Sequence, residues 1–142
     1  MSATLFENAQ ILDGRAEGAL PGHVLVEDGL IKEVSDAPIK AAAARRIDLR
    51  GRTLMPGLID AHVHVIASMV NLGQNALLPD ALIAHRSAKI MHAMLLRGFT
   101  TIRDLGGAMQ GLRMARDEGL FDAPRMVICG KAISSTGGHS DA

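Results

Sequence analysis

The stretch Pro56-Gly57-Leu58-Ile59-Asp60-Ala61-His62-Val63-His64-Val65 is a turn signal running into a short apolar segment that carries two histidines one residue apart. Read as a strand, its side chains alternate with a period of two. Asp60, His62 and His64 then share one face, while Ile59, Ala61, Val63 and Val65 share the other. Two imidazoles at a strand's end each offer a nitrogen lone pair from a rigid element, which suits them to hold one metal ion. Catalytic zinc commonly takes three protein ligands and keeps a fourth position for water, so a further donor is required. His139 is the in-chain histidine expected at the same end of the sheet, with Asp104 and Asp141 as carboxylate alternatives. No spacing chooses between them.

Downstream, a Gly- and Asn-containing stretch over 71–75 precedes a helix expected over 79–97. Pro79 suits its first turn, where the missing N–H has no partner anyway, and Gly98 suits the position just past its end. On a 3.6-residue wheel Ile83, Ser87, Ile90, Met91 and Met94 form one stripe, and His85, Lys89 and His92 fall opposite. A strand over 99–105 follows, then a short helix over 110–118 stopped by Gly119. A third strand over 125–133 is built around Met126-Val127-Ile128-Cys129. Strand, helix, strand, helix, strand is the βαβ pattern with right-handed crossovers and a parallel sheet. Ionisable residues gather at the C-terminal ends of the strands, the edge where such folds bind ligands.

Upstream, residues 4–34 read as short strands broken by the turn signals Asp13-Gly14 and Asp28-Gly29, a hairpin arrangement in which Gly accepts the positive φ that the turn requires. Residues 41–44 are a connection, and Ile47-Asp48-Leu49 with Thr53-Leu54-Met55 reads as another short strand pair. The β unit ends near residue 55. Three barrel-type strands fall short of a closed (β/α)8 barrel, which takes about 250 residues, so the chain reads as a fragment of a longer enzyme.

Composition narrows the partners. The 142 residues carry 15 Lys+Arg against 15 Asp+Glu, so no net field would gather nucleic acid or an anionic membrane. No segment is long and apolar enough to span a bilayer, and the N-terminus has no basic region followed by an apolar core, which makes a cytoplasmic location the expectation. Cys129 is the only cysteine, which excludes an intrachain disulfide. Placed in a strand, it reads as a small buried apolar residue rather than a nucleophile.

The remaining candidates have bland readings beside functional ones. Asp60 could orient a ligand imidazole or accept bonds from its own turn. Arg103 could contact an anion or pair with Asp104, and Asp104 could serve the site or simply accept backbone N–H bonds. His23, His85 and His92 read as solvated. Gly106-Gly107 and Gly137-Gly138 follow no phosphate-loop or dinucleotide fingerprint and read as turns.

Taken together, Ile47 through His64, the segment Gly98-Phe99-Thr100-Thr101-Ile102-Arg103-Asp104-Leu105-Gly106-Gly107 and the terminal Thr136-Gly137-Gly138-His139-Ser140-Asp141 resemble the N-terminal part of the metal-dependent amidohydrolase superfamily. Within it they resemble the imidazolonepropionase-like and prolidase-like (Xaa-Pro dipeptidase-type) branch. Ser140 stands where Gly is more usual. The resemblance implies an α/β chain: part of a small β-sandwich over 1–55, then the first three strands and two helices of a TIM barrel over 56–142. It implies that His62 and His64 bind the more buried metal of a mono- or binuclear centre, usually Zn2+ with other divalent metals allowed, and that His139 contacts substrate. Asp60, Arg103 and Asp104 would support the site or the fold around it. The remaining ligands and the general base would lie on later strands, so this chain alone would lack a complete centre and no catalytic group is assigned within it.

The implied activity of the full-length protein is hydrolysis of an amide or peptide bond, in a dipeptide or N-acyl amino acid, by a metal-activated hydroxide. Cyclic amides or lactones are the alternative substrates, and a non-catalytic binding protein keeping a partial barrel is the alternative of another class. A small-molecule or dipeptide substrate is expected as partner, with no nucleic acid and no membrane, and a homo-oligomeric full-length protein is compatible with this reading.

Overall fold

The structure of the protein, a computed structural model, describes residues 2–15 and 17–138. His139, Ser140 and Asp141, which the sequence offered as site residues or their neighbours, lie outside the described residues. Contacts separate the chain into two units on either side of the Pro56–Gly57 bond.

The first unit is a sheet centred on β1 (Ala3–Ile11). β2 (Leu20–Glu27) pairs antiparallel with it, and β3 (Leu30–Ser35) pairs antiparallel with β2 across the turn Asp28-Gly29. Both turn residues have positive φ, 48° and 81°, the backbone that the Asp-Gly signal anticipates. β4 (Arg45–Asp48) and β5 (Thr53–Leu54) do not pair with each other, contrary to the expected strand pair. Both run parallel to β1, β4 beside Thr4–Glu7 and β5 beside Gln10 and Ile11. The cause lies in β1, whose register against β2 shifts between Phe6 and Ala9. Asn8 there adopts φ 55°, and the Arg50-Gly51 turn between β4 and β5, also at positive φ, follows it by donating Gly51 N–H to the Asn8 carbonyl at 2.7 Å. Leu5, Leu25 and Ile39 form the core of this unit, with Ala41 and Ala44 against it. His23 is half-buried rather than solvated, and its Nδ1 accepts the Asn8 N–H at 3.4 Å.

In the second unit β6 (Leu58–Val63), β7 (Phe99–Asp104) and β8 (Arg125–Ile128) form a parallel sheet in chain order. α1 (Leu72–Ala76), which the sequence reading left as an irregular stretch, is capped by Asn71, whose side chain accepts the Gln74 N–H. α2 (Asp80–Leu96) starts one residue later than expected, because Pro79 occupies its N-cap rather than its first turn. Gly98, at φ 93°, ends it. Ser87, Met91 and Met94 are buried along the expected stripe, and His85, Lys89 and His92 are exposed opposite. α3 (Gln110–Asp117) leads to β8. β8 is shorter than the expected strand: it stops at Ile128, Gly130 turns the chain at φ 80°, and Cys129 is exposed rather than buried.

One face of this sheet packs its Ile102 and Met126 with Met91 and Met94 of α2, and with Val65, Ala108 and Ala123. The other face carries the exposed Ile59, Arg103, Arg125 and Val127. Among the described residues no helix is long and apolar enough to cross a membrane.

Two measurements follow. Met91 is fully buried, so Met91→Ala should destabilise the second unit by about 2–5 kcal/mol through lost contacts and a cavity, read by denaturant unfolding. In the first unit the Asn8 side-chain amide and the Arg50 N–H, aided by the Arg50 charge, hold the exposed Asp48 carboxyl below its ordinary pKa. A depressed folded-state pKa stabilises the fold above the unfolded pKa and loses that contribution as pH falls through the folded value. The stability gap between the protein and Asp48→Asn should therefore be present at neutral pH and close below about pH 4; a gap independent of pH would contradict this.

Candidate metal centre

Gly57 opens the approach to the histidines because a side chain there would collide with Thr100. Leu58 pairs with Phe99, but Ile59 pairs with Thr101, so Thr100 is bulged out of β7 just where Gly57 passes. A second irregularity lies between Asp60, opposite Ile102, and Val63, opposite Asp104, and it restores the original register. This second bulge corrects the strict alternation read from the sequence. Asp60 lies beside the fully buried Ile102, on the side covered by helices, and not with the two imidazoles. Its Oδ1 accepts the N–H of His62 at 3.2 Å, so it braces the bulge. Arg103 does the same from the other strand, donating its Nε–H to the Ala61 carbonyl at 2.8 Å. It does not pair with Asp104, because adjacent strand residues face opposite ways and Asp104 is buried while Arg103 is exposed.

His62 ends up at the bulge and His64 one residue past the strand, both exposed, with ring centroids 5.3 Å apart and planes at 75°. His64 Nδ1 lies 3.0 Å from the Gly106 carbonyl oxygen. A carbonyl can only accept, so Nδ1 carries a proton, and in the neutral ring Nε2 then keeps its lone pair. That is the tautomer a metal ligand needs. Two imidazoles bound through nitrogen to one tetrahedral ion, at about 2.0–2.1 Å, have centroids roughly 5 Å apart. The centroid separation of the observed pair matches that distance. Among the described residues no third His, Cys, Asp or Glu joins them in a group able to hold a metal.

Behind the pair stands Asp104, wholly buried. Its Oδ2 accepts the Val65 N–H at 2.7 Å, and its Oδ1 accepts those of Gly106 and Ala108 at 3.0 and 3.2 Å. Gly107, at φ 110° and pressed against Ile66, donates its N–H to the Gly130 carbonyl at 2.7 Å. The ends of all three strands are thereby joined.

The sequence reading missed Asn75. Its Oδ1 accepts from the Ser68 N–H and hydroxyl at 3.0 and 2.8 Å, and its Nδ2 donates to the Ile66 carbonyl at 3.0 Å, which fastens the loop after His64 to α1. The signal was present in Asn71-x-x-Gln74, the N-cap spacing that starts a helix.

The family model described as the amidohydrolase family matches residues 53–141. The chain belongs to the amidohydrolase family. Like-folded structures agree: an amidohydrolase crystal structure superposes with a TM-score of 0.94 at 49% identity, covering 99% of this chain and 34% of that one. A prolidase complexed with N-methylphosphonate-L-proline gives 0.94 at 47%, covering 99% and 35%. Among curated relatives, the imidazolonepropionase of Treponema denticola is 37% identical over 70 residues, 46% of this chain and 17% of that protein. An adenine deaminase of Escherichia coli is 39% identical over 66 residues, 46% and 11%. The chain thus spans about a third of the solved amidohydrolases and a smaller share of the curated relatives it matches. The chain has the expected α/β character, a unit of strands followed by a unit of parallel strands and helices, the N-terminal part of the amidohydrolase architecture.

Asn75→Ala should cost about 1–3 kcal/mol, because it removes three hydrogen bonds to the half-buried Ser68 and Ile66. It should also speed amide hydrogen exchange at Ser68, detectable by NMR. Unchanged exchange would mean that the loop does not depend on this side chain.

Proposed function

We propose that the protein is a metal-dependent hydrolase that cleaves the amide or peptide bond of a dipeptide or N-acyl amino acid, with Xaa-Pro dipeptides as the first substrates to try. The observation that carries this reading is the His62–His64 pair, 5.3 Å between ring centroids, with His64 Nδ1 committed to the Gly106 carbonyl. The 47% identity to a prolidase with a bound proline derivative supports the substrate class. His62 and His64 would hold a divalent ion, Zn2+ by preference for nitrogen donors, as one of one or two ions per full-length subunit. When bound, such an ion lowers the pKa of a coordinated water and polarises a carbonyl oxygen.

The chain's own residues supply orientation. Gly106 fixes the His64 ring, Asp60 and Arg103 hold the bulge from which His62 projects, and the buried Asp104 ties the backbone after His64 to the loop that carries the Gly106 carbonyl. His139 is assigned to substrate contact. The remaining ligands and the proton-transferring carboxylate belong to the part of the amidohydrolase architecture that this chain does not span. We further assign the protein to the cytoplasm.

A second reading is favoured by the imidazolonepropionase match: opening of a cyclic amide on the same scaffold. A panel of Xaa-Pro dipeptides, N-acyl amino acids, cyclic amides and lactones, assayed with the zinc-loaded full-length protein, separates the two. Chelation should abolish turnover and added Zn2+ should restore it. His62→Gln and His64→Gln should each lower metal content and reduce kcat by about a hundredfold or more. A rate that survives metal removal, checked by elemental analysis, would overturn the proposal, and no turnover on the panel with metal bound would favour a binding protein.

A further inference from the structure

We infer that Asp104 is a positioning residue that fixes the tautomer and ring orientation of His64 through the backbone of the Gly106 loop; its role in presenting Nε2 to a metal rests on the reading of His64 as a ligand.

The geometry is a bracket around one peptide group. The Gly106–Gly107 peptide offers its carbonyl to His64 Nδ1 and its N–H to the Gly130 carbonyl. The peptide groups on either side of it both donate to a single oxygen, Asp104 Oδ1, through the N–H groups of Gly106 and Ala108. Those two bonds hold the chain at either end of the central peptide, and the Gly130 carbonyl holds its N–H, so its carbonyl stays directed at His64. The second oxygen, Oδ2, holds Val65 N–H, immediately after His64 in the chain. One carboxylate therefore grips both the backbone that carries the imidazole and the loop that carries its acceptor. Only an acceptor with lone pairs on both oxygens can do this. An asparagine of the same shape would turn an NH2 group toward one set of N–H donors and leave them unpaired.

The tautomer is the sensitive quantity. In water a neutral histidine side chain favours the proton on Nε2, the nitrogen that a metal would need bare. Holding it on Nδ1 takes a fixed acceptor, and the Gly106 carbonyl is that acceptor. Loosening the bracket should let the ring relax toward the solution tautomer while the fold persists.

The test uses metal-free, 15N-histidine-labelled protein at about pH 8, above the ordinary histidine pKa. His64→Gln assigns the His64 signals by their disappearance. In the unsubstituted protein, His64 should show a protonated Nδ1 and a bare Nε2. In Asp104→Asn it should shift toward protonated Nε2, and titration with Zn2+ should show affinity reduced about 10–100-fold. Leu25→Ala serves as the control for stability loss alone, since Leu25 belongs to the separate core of the first unit, and should leave the His64 pattern unchanged.

An Asp104→Asn protein that is less stable but keeps the His64 pattern would reduce Asp104 to a structural role and overturn the inference. Should Asp104→Asn fail to fold, the unsubstituted protein decides: protonated Nε2 there would overturn it, protonated Nδ1 would support it. A tautomer shift without any zinc binding in either protein would leave the positioning role standing and remove the metal reading instead.

Discussion

A buried carboxylate without a cationic partner is costly unless its lone pairs are filled, and the three backbone N–H groups around Asp104 fill them. Those groups belong to segments that leave β6 and β7, so the requirement to satisfy one charge draws two separate chain ends together. Gly107 then reaches to the segment after β8. The parallel sheet supplies the direction in which the strands point, but the carboxylate decides how their ends meet.

The bulges are the second constraint. A regular β6 would keep Asp60 and the histidines on one side and would have no reason to exclude a side chain at position 57. Instead β7 bulges Thr100 past Gly57 and β6 compensates before Val63, so the register that packs Ile102 and Met126 beneath α2 and α3 coexists with a displaced segment bearing His62. Asp60 and Arg103 complete hydrogen bonds that a bulge leaves open.

Much of this was legible in the chain. The His-x-His segment after Pro56-Gly57, the apolar stripe of α2, the glycine that ends it and the order of elements from residue 58 all follow from periodicity and turn chemistry. Position relative to a bulge was not legible, because a bulge is a property of two strands and the sequence shows one at a time; hence the misplaced face of Asp60. The pairing of β4 and β5 failed for a similar reason: two short strands near each other suggest a hairpin, whereas the long β1 offered each of them a separate partner. Asp104 could be suspected of accepting backbone bonds, but which N–H groups it takes depends on the loop after β7 folding back, and Cys129 looked buried because its apolar neighbours were read as one continuous strand. Asn75 was overlooked although its helix start was written in the spacing of Asn71 and Gln74.

The arrangement around β1 also has a consequence in time. β1, β2 and β3 form a local antiparallel meander, so they can assemble once Ser35 has emerged from the ribosome, with one side of β1 still unpaired. Its covering strands are completed only at Leu54, about 19 residues later, which at a synthesis rate of about 5–20 residues per second leaves the edge open for roughly 1–4 s. During that interval the nascent chain presents a row of free backbone donors and acceptors along Thr4 to Ile11. The order of strands in the sequence thus sets a brief window of vulnerability to misassociation on the ribosome, one that closes when the Arg50-Gly51 turn brings β5 alongside.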